Sequence, residues 1–156
     1  MTLPAKSVCV YCGSRDGADP AYAAAAEAVG RAIAGQGWRL VYGAGDVGLM
    51  GRVARAAQAG GGETFGVIPV HLLNREVGKR DLSSFVITET MHERKKVLVM
   101  NANAVVVLPG GAGSLQDTAD VGTEYAKYDI PELAYREARY VYLYIRDTRD
   151  PTSLSM

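Results

Sequence analysis

The chain has 156 residues, which fits one domain, and 48% of them are hydrophobic, enough for a single buried core. Seventeen Lys and Arg balance seventeen Asp and Glu; a net charge of zero argues against a surface built for nucleic acid or acidic membranes, though not against a local cationic pocket. No apolar run approaches the ~20 residues that span a bilayer, and residues 1–6 lead into a short apolar run without the features of a signal peptide, so a cytoplasmic protein is expected.

Residues 7–12 (SVCVYC) form an apolar run ending at Gly13-Ser14 and predict a buried first strand. Its two cysteines, Cys9 and Cys12, sit three apart and so face opposite sides of a strand. A redox C-x-x-C pair opens a helix instead, so buried, reduced thiols are expected. Asp19-Pro20 reads as a cap with proline at the first helical position, and the Ala-rich stretch 21–34 as a helix stopped by Gly35 and Gly37. A second strand over 39–42 ends at Gly43. A second helix over 49–59 stops at Gly60-Gly61-Gly62. A third strand over 64–68 breaks at Pro69. The polar stretch 74–83 reads as a mobile loop. A short strand over 85–88, a helix over 93–101 and a buried strand over 104–108 (AVVVL) follow, then a helix from Gly113 to about Tyr128. Residues 139–145 alternate three tyrosines with Val141, Leu143 and Ile145, which predicts a half-buried strand at an edge.

Strands alternating with helices predict an α/β fold, Rossmann-like and doubly wound, with a mainly parallel sheet and helices on both faces. Residues 1–156 read as one nucleotide-binding domain with neither repeat nor linker. Such sheets bind ligands at the carboxyl ends of their strands, where Gly13, Gly43, Gly45, Gly110, Gly111 and Gly113 all lie.

Residues 42–51 (YGAGDVGLMG) contain G-x-G-x-x-G between a strand and a helix, a turn that lets backbone N–H groups approach a phosphate. The next strand ends Gly66-Val67-Ile68-Pro69, without the acid that a dinucleotide site places on its ribose. Residues 108–117 (LPGGAGSLQD) make a second glycine turn opening a helix, an anion hole in prospect. There Asp117 has two readings, a capping-box partner of Ser114 or a carboxylate acting on a sugar beside the anion. G-K-[ST] is absent, which argues against triphosphate hydrolysis. In residues 90–96 (TMHERKK), Arg94, Lys95 and Lys96 crowd a helix start and oppose its dipole. A bound anion would offset that, and arginine suits bidentate phosphate contact. His71 and His92 lack partners at metal-ligand spacing, so neither metal nor cofactor is expected.

Taken together, VCVYCGS at 8–14, VYGAGDVGLMG at 41–51, MHERK at 91–95 and LPGGAGS at 108–114 resemble the Lonely Guy family of cytokinin riboside 5′-monophosphate phosphoribohydrolases, often labelled lysine decarboxylases. The resemblance runs in order over roughly 7–117. It implies a homodimer that hydrolyses the N-glycosidic bond of a nucleoside 5′-monophosphate, AMP or an N6-substituted AMP. It implies Arg94 and Asp117 as catalytic residues, Asp117 standing where the family has glutamate. Gly13, Ser14, Gly43, Gly45, Lys95, Gly110, Gly111, Gly113 and Ser114 would line the phosphate and ribose, with Met91 near the base. Ala44 replaces a family glycine, and the match fades after Asp117. The rival reading is a non-catalytic nucleotide or cofactor carrier on the same fold. The expected partner is a small nucleotide, with neither nucleic acid nor membrane. The expected geometry is Arg94 and the 110–113 turn converging on one phosphate.

Overall fold

The structure, a computed structural model, describes residues 6–17, 20–108, 142–146 and 154–155. In chain order these form β1 (Ser7–Tyr11), α1 (Pro20–Gly35), β2 (Arg39–Tyr42), α2 (Gly48–Ala59), β3 (Glu63–Pro69), a 3-10 turn (Val70–Leu72), β4 (Ser84–Thr88), α3 (Met91–Met100), β5 (Ala104–Val107), β6 (Tyr142–Arg146) and β7 (Leu154–Ser155). The strands make one sheet in the order β4-β3-β2-β1-β5-β6-β7. β1 to β5 are all parallel, while β6 runs antiparallel to β5 and β7 antiparallel to β6.

Alternation in the strands splits the core in two. Val8, Val10, Leu40, Tyr42, Ile68 and Val106 pack with Ala26 and Ile33 of α1 and with Leu49, Val53 and Ala57 of α2. Cys9, Tyr11, Val41, Val67, Val105 and Val107 pack on the other face with Leu98 of α3. Both faces are therefore covered, which explains why these strands read as unbroken apolar runs rather than alternating ones. The doubly wound α/β fold is as expected. The two cysteines also divide as expected, Cys9 in one cluster and Cys12 beside the other.

The strand order fixes where a ligand would sit. From β1 the chain winds outward through β2 and β3 to β4, then crosses under the sheet through α3 to β5 on the far side of β1. The switch point thus lies between β1 and β5, where the Leu108 N–H donates to the Tyr11 carbonyl at 2.8 Å. Gly13 leaves β1 at that edge, beside Leu108 at the end of β5.

One expectation changes. Residues 139–145 were expected at an edge, but β6 has β5 on one side and β7 on the other; a two-residue partner eight positions on carries no periodic signal. The helix expected from Gly113 and the Asp19 cap lie outside the described residues.

The α2 start shows how tightly the edge is built. Val47 at its N-cap gives no side-chain hydrogen bond; instead the Met50 N–H donates to the Gly13 carbonyl at 3.3 Å. Gly48 has φ +56°, and a Cβ there would overlap the backbone of Ser14 and Arg15. Gly48→Ala is accordingly expected to cost about 2–4 kcal/mol, the sum of a left-handed conformation and an overlap that only backbone can relieve. A denaturant midpoint unchanged from wild type would contradict this packing.

Candidate functional site

The carboxyl edge gathers the first three glycine positions singled out in the sequence. Gly13 and Gly43 follow adjacent strands, and Gly45 lies two residues further along the turn between β2 and α2. Ser14 is exposed just beyond Gly13. Within the turn, the Tyr42 hydroxyl donates to the Gly45 carbonyl at 2.9 Å. Burial and the nearby Asp46 carboxylate push the Tyr42 phenol well above its usual range, so it remains a neutral donor. Ala44 has φ 61°, a left-handed conformation that costs an alanine about 1 kcal/mol. This explains the glycine of the family pattern at that position.

The turn does not stand open. Its Asp46 N–H donates to the carbonyls of Glu76 and Val77, both at 2.9 Å, and its Ala44 carbonyl accepts from the Lys79 N–H at 2.8 Å. Gly45 and Gly78 thereby form an antiparallel bridge. The segment 74–83, expected as a mobile loop, is a strap across the glycine turn. Its far end is fixed by Thr64 and Ser83, whose backbone N–H groups each donate to the other's hydroxyl, at 3.0 and 3.1 Å. Lys79 is only 7% exposed and pairs with Asp81 at 3.0 Å, while Leu82 is buried. Val77 follows this path with φ 51°, a strained conformation that a β-branched residue rarely adopts.

Arg94 enters from the other side of the sheet. α3 begins at Met91, two residues before the expected start, because Thr90 accepts the Glu93 N–H at 3.1 Å while the Glu93 carboxylate accepts the Glu89 N–H at 3.1 Å. That places an acid in the first turn and the three cations after it, so the dipole conflict expected from the sequence is largely absent. From the second turn Arg94 turns inward and is 6% exposed. Its Nε donates to the Val67 carbonyl at 2.9 Å. Its Nη2 donates to the Gly43 carbonyl and, at 2.8 Å, to the Glu76 carboxylate. Its Nη1 meets the Met91 sulfur at 3.7 Å. The anion answering this cation is thus a carboxylate of the chain itself. The bidentate phosphate contact expected of Arg94 is also altered, since Nε and both Nη2 hydrogens already have acceptors and Nη1 alone has only a weak one.

Cys12 lies at the same edge. Burial, with the Glu76 charge adding to it, pushes its thiol up to about 12, so at neutral pH it is protonated and not a nucleophile. Lys95 is half-buried, and His92 and His71 are exposed. Gly110, Gly111, Gly113, Ser114 and Asp117 lie outside the described residues; of the expected set, the described residues bring together Gly13, Gly43, Gly45, Met91 and Arg94.

Sequence reasoning missed Glu76, Lys79 and Asp46. The T-x-x-E spacing at Thr90 could have revealed the α3 start. Nothing local could have revealed Glu76, which meets Arg94 eighteen residues on through tertiary packing alone.

The profile of the SLOG cluster4 family matches residues 6–127. Over 118 residues the chain is 49% identical to a cytokinin riboside 5′-monophosphate phosphoribohydrolase of Mycobacterium marinum and 46% identical to one of Mycobacterium tuberculosis. Each match covers 76% of this chain and 63% of the relative, so the matched part is less than two thirds of those proteins' length. Among solved structures, a molybdenum cofactor carrier protein of Chlamydomonas reinhardtii superposes with a TM-score of 0.64 at 22% identity, over 76% of this chain and 72% of that one. At that identity the likeness speaks to the fold alone.

Proposed function

Since the chain belongs to the SLOG cluster4 family, we propose that it hydrolyses the N-glycosidic bond of a nucleoside 5′-monophosphate, AMP or an N6-substituted AMP, releasing base and ribose 5-phosphate. One observation carries this reading. The arginine of the MHERK motif is buried at the carboxyl edge against Gly43 of the glycine turn, in a chain nearly half identical over 118 residues to a named phosphoribohydrolase.

Cleavage of such a bond develops positive charge on the ribose, by analogy with O-glycosides. A carboxylate beside the sugar stabilises that charge and orients the attacking water; this role is assigned to Asp117. Nη1 of Arg94 would contact a phosphate or ribose oxygen, with Lys95 as a second cation. N–H groups of the glycine turns would receive the phosphate, and Met91 would pack toward the base. The protein would work as a homodimer in the cytoplasm; exposed Ile87 and Met100 support the first of these points.

The test is base release from AMP and N6-substituted AMP. Aspartate is one methylene shorter than the family's glutamate, and a ~1 Å misplacement can cost ~10²-fold in rate. Slow release by the wild type and release up to about a hundredfold faster by Asp117→Glu are expected. AMP bound but uncleaved by both proteins would overturn the enzymatic reading in favour of a carrier.

A further inference from the structure

The strap residue Glu76 is unused by the reaction as assigned so far, yet it makes the only side-chain ion pair to Arg94 found among the described residues. Its backbone is fixed on both sides, the N–H donating to the Leu72 carbonyl at 2.9 Å and the carbonyl accepting from Asp46. Its side chain is 13% exposed and that of Arg94 7%. A carboxylate so placed can move little without uncovering a buried guanidinium.

A guanidinium is a rigid planar fork, so fixing three of its N–H bonds fixes its plane. Val67 and Gly43 supply two acceptors at the sheet's carboxyl edge, both backbone carbonyls, one within β3 and one directly after β2. The third acceptor comes from the strap. Nη1 then points away from all three, toward a thioether that accepts hydrogen bonds weakly. A ligand oxygen displacing that contact gains a charge-assisted bond at little loss.

We propose that Glu76 is the positioning residue for Arg94: it holds the guanidinium so that Nη1 alone addresses the nucleotide, and it thereby couples the 74–83 strap to the site. The inference rests on the reading of Arg94 as the nucleotide-binding arginine. It has two consequences. Arg94 contacts one oxygen of the ligand rather than gripping a phosphate with two nitrogens. And because Glu76 already neutralises its charge, Arg94 contributes orientation more than net attraction.

The experiment compares wild type, Glu76→Gln and Glu76→Ala as full chains. With AMP, Glu76→Ala is expected to lower kcat about a hundredfold and Glu76→Gln, which keeps an acceptor, about tenfold, while KM does not rise. Loss of a merely structural contact would instead lower thermal stability and the active fraction, leaving kcat per AMP-binding site, counted by titration, at the wild-type value. The ligand-free readout is the NMR signal of the Arg94 Nε–H, expected to be sharp and slowly exchanging in wild type and averaged in Glu76→Ala. A folded Glu76→Ala protein that keeps this signal, or keeps wild-type kcat and KM, overturns the proposal. Should Glu76→Ala fail to fold, the near-isosteric Glu76→Gln carries the same comparison. If wild type releases no base from AMP, the reading of Arg94 fails, but the NMR comparison still decides whether Glu76 positions it.

Discussion

Arg94→Ala is expected to lose about 3–5 kcal/mol of stability, the cost of removing one partner from a buried ion pair. The truncation strands the Glu76 carboxylate, 13% exposed, and frees the carbonyls of Val67 and Gly43 from their donor. Denaturant unfolding measures the loss, and a change under about 1 kcal/mol, the range of an exposed pair, would mean that the pair is not buried in solution. Base release from AMP should vanish with it. Arg94→Lys separates the two effects. A lysine ammonium restores charge opposite Glu76 but cannot hold three acceptors in one plane. Partial recovery of stability without recovery of activity is therefore expected; full recovery of activity would show that Arg94 serves only as a point charge.

Gly43→Ala tests the same geometry from the backbone side. A Cβ at Gly43 would overlap Arg94 Nη2 and lie 2.7 Å from the terminal carbon of Met50. The methionine can shift, but the guanidinium is held by Val67 and Glu76, so it is displaced or the turn opens. A stability loss of about 1–3 kcal/mol is expected from overpacking. A displacement of about an ångström should also lower kcat/KM with AMP about a hundredfold. The stability term comes from chemical unfolding and the rate term from steady-state kinetics. Wild-type kinetics in Gly43→Ala would show that Arg94 does not approach the turn as closely as described.

The two predictions differ in what they ask of the strap. Arg94→Ala leaves the Asp46 and Lys79 backbone bonds in place, so the strap should stay docked on the turn although its Glu76 anchor is lost. Hydrogen exchange at the Asp46 and Lys79 amides distinguishes a docked strap from a released one.

Local pattern alone determined the strand and helix alternation up to Leu108. β1, β2, β3 and β5 are short, largely apolar runs closed by glycine or proline, and that signal survives because both sheet faces are buried there. The same pattern put Gly13, Gly43 and Gly45 after strands and hence at one edge. It also singled out Arg94, though as a cation awaiting a ligand's charge. Tertiary structure alone decided the rest. The switch point depends on which side of β1 receives β5, a question of packing that no window of sequence contains. The strap depends on Glu76, Val77 and Lys79, polar or exposed positions without periodicity whose partners are backbone groups of Ala44 and Asp46, far earlier in the chain, and a guanidinium eighteen residues later. Periodicity reports which side of an element meets apolar neighbours; it is blind to a charge or a carbonyl whose partner arrives only when the chain has folded.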